Sequence, residues 1–156
     1  MLGFPDTINE KAARTVAGVV ALTALVAVLT GWHWLAIPLA YGFWARVVAG
    51  PTLSPLAQFA TRVAAPRLGP PVTVPGPPKR FAQAIGAVLT SGAVIAWALG
   101  ASTVVTVLLV LLVVAATLES VFAVCLGCIL FAQLMKAGII PEEVCEKCNN
   151  IGLAEA

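Results

Sequence analysis

Four stretches of this chain are apolar over nearly the length needed to cross a bilayer, and nothing else in the sequence limits its fold so severely. They are residues 15–30, 34–50 with Arg46 as the one charge, 81–99, and 103–124 with Glu119 as the one charge. A membrane-spanning helix needs about 17–25 predominantly apolar residues. The first two stretches are short by that measure and are expected to extend by a turn. The composition agrees: 10% of the residues are charged and mean hydropathy is +1.00, whereas a soluble domain carries about 25% charged residues. A surface so poor in charge is solvated by lipid rather than water.

The connections between the stretches set the expected fold. Residues 31–34 ("GWHW") and 100–102 ("GAS") are tight turns, so the chain reads as an all-α membrane protein of four transmembrane helices in two hairpins. No cleavable leader follows Lys11 and Arg14, because a second apolar stretch comes at once. The nine Lys and Arg (Lys11, Arg14, Arg46, Arg62, Arg67, Lys79, Arg80, Lys136, Lys147) avoid both turns. The positive-inside rule then places both termini and the central segment on the cytoplasmic side of a bacterial cytoplasmic membrane. Trp32, Trp34 and Trp97 lie near the outer turns, where an aromatic belt belongs. His33, the single histidine, falls at that outer end, away from the cysteines.

The two halves look alike. "AARTVAGVVALTALVAVLTG" compares with "FAQAIGAVLTSGAVIAWALG", setting Gly18 against Gly86, and the "LAQF" of the first half compares with the "FAQL" of the second. This predicts a parallel internal repeat, each hairpin followed by a short interfacial helix. The expected organisation is one membrane domain over 1–156: repeat one 10–65, a proline-rich cytoplasmic linker 66–80, repeat two 81–138, and a cytoplasmic tail 139–156. Proline holds its own φ and keeps the preceding residue extended, so the linker is expected to be irregular and semi-rigid. Small residues on one face of the first helix (Ala13, Ala17, Ala21) and of the third (Ala82, Gly86, Thr90) predict that these two helices pack centrally.

Two charges fall inside the apolar stretches at similar depth. A lone charge at a helix centre costs roughly 2.5–3.5 kcal/mol on insertion scales. Mutual pairing of Arg46 with Glu119 is the cheapest remedy, and Glu119 can alternatively serve as a proton acceptor near the thiols.

All four cysteines follow the last apolar stretch, as Cys125, Cys128, Cys145 and Cys148 in the spacing C-x2-C-x16-C-x2-C. On the cytoplasmic side thiols are ordinarily kept reduced, which argues against a purely structural disulfide framework. Two chemistries stay open. The spacing suits a tetrathiolate site for zinc, or iron on the same ligands, formed by all four cysteines. Equally, Cys125 and Cys128 form a dithiol that, with Cys145 and Cys148, can pass electrons or a sulfane sulfur by thiolate attack on a neighbouring sulfur. By comparison with Ser54 in the first half, Cys128 is expected to cap the short helix "ILFAQLMK", where helix N–H groups favour a thiolate. A buried, inert cysteine is the bland reading for Cys125 alone. No phosphate-binding loop, nucleotide fingerprint, hydrolase triad or nucleic-acid motif is present.

The segments "DTINEKAARTVAGVVAL", "PKRFAQAIG" and "LESVFAVCLGCILFAQL" together resemble the bacterial membrane proteins of domain-of-unknown-function family 4395, over roughly the first 135 residues. The first half is also similar to the small membrane domain attached to some rhodaneses. The resemblance implies association with thioredoxin-like or sulfurtransferase proteins in the cytoplasm, and hence thiol or sulfur traffic, but no particular activity. "CEKC" lies outside the resembling segments.

Overall fold

A computed structural model describes residues 7–50, 54–70 and 72–139. Helix α1 (Glu10–Thr30) begins where the Asn9 side chain accepts the Lys11 N–H at 3.0 Å and ends at Gly31, whose φ of 76° turns the chain. A 3-10 turn (His33–Leu35) leads into α2 (Ala36–Ala49). Next comes a continuous helical stretch made of α3 (Pro55–Phe59), a π turn (Ala60–Ala64) and α4 (Ala65–Arg67). Helix α5 (Gly76–Ala98) and α6 (Ser102–Phe122) form the second hairpin, and α7 (Leu126–Lys136) follows. The all-α expectation holds for the helices. Of the four expected spans, α1, α5 and α6 are long and apolar enough to cross a membrane. Helix α2, with 14 residues, is only about 21 Å long at 1.5 Å per residue.

Two features depart from the sequence reading. The proline-rich segment is more ordered than an irregular linker. Strand β2 (Thr73–Pro75) pairs antiparallel with β1 (Thr7–Asn9), with Ile8 opposite Val74. The β-branched Thr, Ile and Val suit a strand, but the partner lies far away in sequence, so local reading misses it. Helix α5 also starts within the proline run, with Pro77 and Pro78 in its first turn. There a missing N–H costs nothing, since those donors have no helical acceptor anyway.

The second departure concerns packing. Helices α1 and α5 were expected to meet at the centre, yet α1 packs chiefly against α6, and α5 against α2 and α6. Each glycine has received a side chain from an opposing second helix. A Cβ on Gly18 would lie 2.9 Å from the Ser120 Oγ, and one on Gly86 would enter the Phe43 ring. The small residues admit bulk from a helix they face; they do not face each other.

The interior is built of small residues: Ala24, Ala27, Ala36, Ala60, Ala87 and Ala93 are fully buried. Large apolar side chains such as Leu22, Leu29, Val88, Ile95 and Phe122 point outward. This inverts the pattern of a water-soluble core and follows the rule for helices in lipid, where close backbone approach rather than hydrophobic exclusion drives association. Because neighbouring helices alternate in direction, the start of α1, the end of α2, the start of α5 and the end of α6 gather at one end. Two arginines seal it. Arg14 donates to the Ser120 carbonyl at 3.0 and 3.1 Å and to the Val121 carbonyl at 3.3 Å. Arg80 donates to the Val47 carbonyl at 3.0 Å. These are last-turn carbonyls of α6 and α2, which lack helical partners.

Candidate functional site

The cysteine pair sits where α6 gives way to α7. Ala123 adopts a left-handed φ of 56°, a conformation that costs an L-residue about 1–2 kcal/mol and that ends α6 two residues before Cys125. Cys125 then takes the N-cap of α7, its Sγ accepting the N–H of Cys128 at 3.2 Å. The expected cap was Cys128. The connection explains the difference: the capping serine of the first half stands four residues after Gly50, whereas Cys125 stands two residues after Ala123. The shorter link starts α7 sooner. An N-cap residue and the third helical position approach closely, and Cys125 and Cys128 are joined there as a disulfide with their Cα atoms 5.2 Å apart. That separation lies in the usual range for a disulfide, about 4.4–6.8 Å.

Helix α7 is held against α5. Gly127 is buried on Ala82 so tightly that a Cβ would lie 2.6 Å from the Ala82 Cα, and Phe131 packs edge-on to Phe81 with ring centroids 5.7 Å apart. Leu126, Ile129 and Leu130 are exposed, so the outer face of α7 is apolar. The disulfide is therefore fixed to the rigid bundle rather than carried on a loose tail.

Beside it lies a polar cluster. Glu119 is bonded to Lys79 as an ion pair. The expected Arg46–Glu119 pair is not formed: Arg46 Nε donates to the Gln83 Oε1 at 2.7 Å, its Nη1 donates to the Ser54 Oγ at 3.3 Å, and its guanidinium lies 4.7 Å from the centre of the Phe43 ring. The physical reason is the early start of α5, which brings Lys79 into its first turn beside the last turns of α6. A lysine expected in the linker thus becomes the buried partner of Glu119. Lys79 and Gln83 escaped the sequence reading as partners of these two charges, and Ser54 entered it only as a helix cap. Lys79 and Gln83 are spaced at i, i+4 on one helix face, a signal visible only once the start of α5 is known.

Arg46, Gln83, Glu119 and Cys125 line a single cavity of about 290 Å³ whose other walls are apolar, among them Val20 and Leu89. Glu119 and Arg46 share this space without touching as an ion pair. Cys128 is half-buried and is not part of the lining. The arrangement places Cys125, one half of the disulfide, at the wall of a mostly apolar chamber.

Cys145 and Cys148 lie outside the described residues, so the proposed four-sulfur cluster extends beyond them. Among the described residues no three His, Cys, Asp or Glu side chains form a metal-binding group. With their sulfurs bonded to each other, Cys125 and Cys128 offer no thiolate to a metal in this form; reduction would restore both as ligands, so the donor chemistry fits zinc or iron only in the dithiol state.

The family model described as "Domain of unknown function (DUF4395)" matches residues 8–136. That is most of the chain, and the chain belongs to this family. No curated protein and no solved structure matches it.

Proposed function

We propose that this DUF4395 member is a membrane thiol–disulfide oxidoreductase whose reacting group is the Cys125–Cys128 pair. One observation carries the reading: the disulfide joins the N-cap of α7 to the first turn of that helix, and its Cys125 end lines a cavity. A thiolate from a partner attacks the Cys128 sulfur; the Cys125–Cys128 bond breaks and a mixed disulfide forms at Cys128. Cys125 leaves as a thiolate, stabilised by the Cys128 N–H and the positive end of α7. A second partner thiolate then attacks its own mixed-disulfide sulfur, freeing Cys128. The partner is oxidised by two electrons and the CxxC pair is reduced, one bond being made for each broken. Cys145 and Cys148 suit the role of a relay between this pair and a cytoplasmic thioredoxin-like or sulfurtransferase protein.

The membrane arrangement proposed with it has four spans, with α2 extended by the preceding 3-10 turn to the lower limit of about 17 residues. Both ends face the cytoplasm of a bacterium, by the charge asymmetry. There a disulfide is transient and catalytic rather than structural. A parallel repeat is supported by a crossed correspondence: Arg14 on α1 seals α6, and Arg80 on α5 seals α2.

The test is a redox equilibration of the full chain in lipid nanodiscs against glutathione buffers, read by alkylation and mass. The expected result is one two-electron transition at Cys125 and Cys128, lost in Cys128→Ser. A pair that neither opens nor closes across the glutathione range sinks the reading.

A further inference from the structure

We propose, resting on the thiol–disulfide reading above, that the cavity beside Cys125 binds a lipid-soluble quinone that accepts the two electrons of the Cys125/Cys128 dithiol. Three properties of the chamber select this class of ligand. Its walls are apolar and belong to helices of membrane length, with Val20 on α1, Leu89 on α5 and Leu111 on α6, so its occupant comes from lipid. Its volume of about 290 Å³ is at the lower end for small-molecule pockets, about 300 Å³, which suits a ring with its tail left in the bilayer. Its polar end combines the Arg46 cation, the Gln83 amide, the Glu119 carboxylate already paired with Lys79, and Cys125. A guanidinium has five N–H donors, more than Arg46 uses on Gln83 and Ser54, so it can still bond a carbonyl oxygen. A lipid tail satisfies only the first property. A quinone satisfies all three, because it has acceptor oxygens and can be reduced by a dithiol.

The reaction balances without any further reagent. The two S–H bonds of Cys125 and Cys128 are broken and one S–S bond is formed. Two electrons enter the quinone ring, and the two protons go to its oxygens, giving a quinol that returns to the bilayer. Cys125, which lines the cavity, is the sulfur that meets the ring. Cys128, outside the lining, is the one left for a protein partner. Arg46 polarises the carbonyl oxygen that gains charge. The pair thus connects a thiol partner at the membrane edge to a diffusible carrier within the membrane.

The experiment uses the full chain in lipid nanodiscs, reduced and freed of reductant, then mixed with a short-chain ubiquinone or menadione while quinol absorbance and free thiols are followed. One quinol for every two thiols lost is expected from this stoichiometry. Arg46→Lys should raise the quinone KM by about 10–100-fold, the usual effect of weakening a hydrogen bond to a charged group. Ala115→Phe, which fills the cavity, should slow quinone reduction at least about tenfold. Both variants should keep the helical circular dichroism of the wild-type chain, which reports that they are folded. Exchange with glutathione but no quinone reduction overturns this inference alone. So does quinone reduction undiminished in both variants, which would put the site elsewhere. A pair inert to glutathione and quinone alike overturns the thiol–disulfide reading and this one together.

Discussion

After the second long helix of each half, the chain starts a new helix under a side-chain cap, and the two caps differ in one atom type. Ser54 Oγ accepts the Ala57 N–H at 3.3 Å, accepts an N–H of Arg46 at 3.3 Å, and is 1% exposed. Cys125 Sγ accepts the Cys128 N–H at 3.2 Å, is bonded to the Cys128 sulfur, and is only half-buried. A cavity adjoins each: about 300 Å³ beside Ser54 and about 290 Å³ beside Cys125, with Arg46 lining both. The same local geometry therefore serves two ends. In the first half the cap is consumed in anchoring a buried guanidinium. In the second it carries a sulfur–sulfur bond at the wall of a cavity. Position supplies the helix terminus; residue type and burial decide whether anything reacts there.

The largest expected effect comes from erasing that difference. Cys125→Ser should abolish disulfide exchange while keeping the α7 cap, so that the stability lost is about 2 kcal/mol from the opened four-residue loop; exchange assays and unfolding in bicelles measure both. Residual exchange would show that Cys128 works alone. Next, Gly127→Val forces a side chain into the Ala82 backbone, which cannot swing away. A loss of about 1–3 kcal/mol is expected, together with faster proteolysis of α7, and an unchanged digestion rate would argue against the docking. Ser54→Ala removes the first cap and one partner of a buried guanidinium. It should cost about 1–2 kcal/mol yet leave the exchange rate of the second cap untouched. The smallest effect is expected for Ala123→Gly, which relieves the left-handed alanine and should stabilise the chain by about 1 kcal/mol, seen as a higher unfolding midpoint.

The legible parts of the site were those written in local pattern. Cys125 and Cys128 at i, i+3 could be paired from spacing alone, and the two intramembrane charges were conspicuous against apolar surroundings. Their partners were not. Arg46 and Glu119 are opposite in sign and alike in depth, and an economical reading joins them. What it lacked was the rotation of α5, which presents Gln83 to one and Lys79 to the other. Lys79 looked like a solvated linker residue because two prolines precede it, although proline is well tolerated in a helix's first turn. The helix cap was misplaced by three residues for a similar reason: aligning "LAQF" with "FAQL" carries over the first half's link length, and the second half's link is shorter.

Hydropathy and the tight turns determined by themselves that this chain forms long apolar helices with its charges gathered at one end, since period and length are local properties that any bilayer-scale helix must satisfy. The cysteine spacing likewise determined that two sulfurs would meet. Only the tertiary structure decided which helices touch, that Glu119 bonds to Lys79, and that Cys125 faces a cavity with Arg46. Such choices turn on which small residue leaves room for which distant side chain, as Gly86 does for Phe43. That complementarity is a property of pairs of surfaces, and no single segment encodes it.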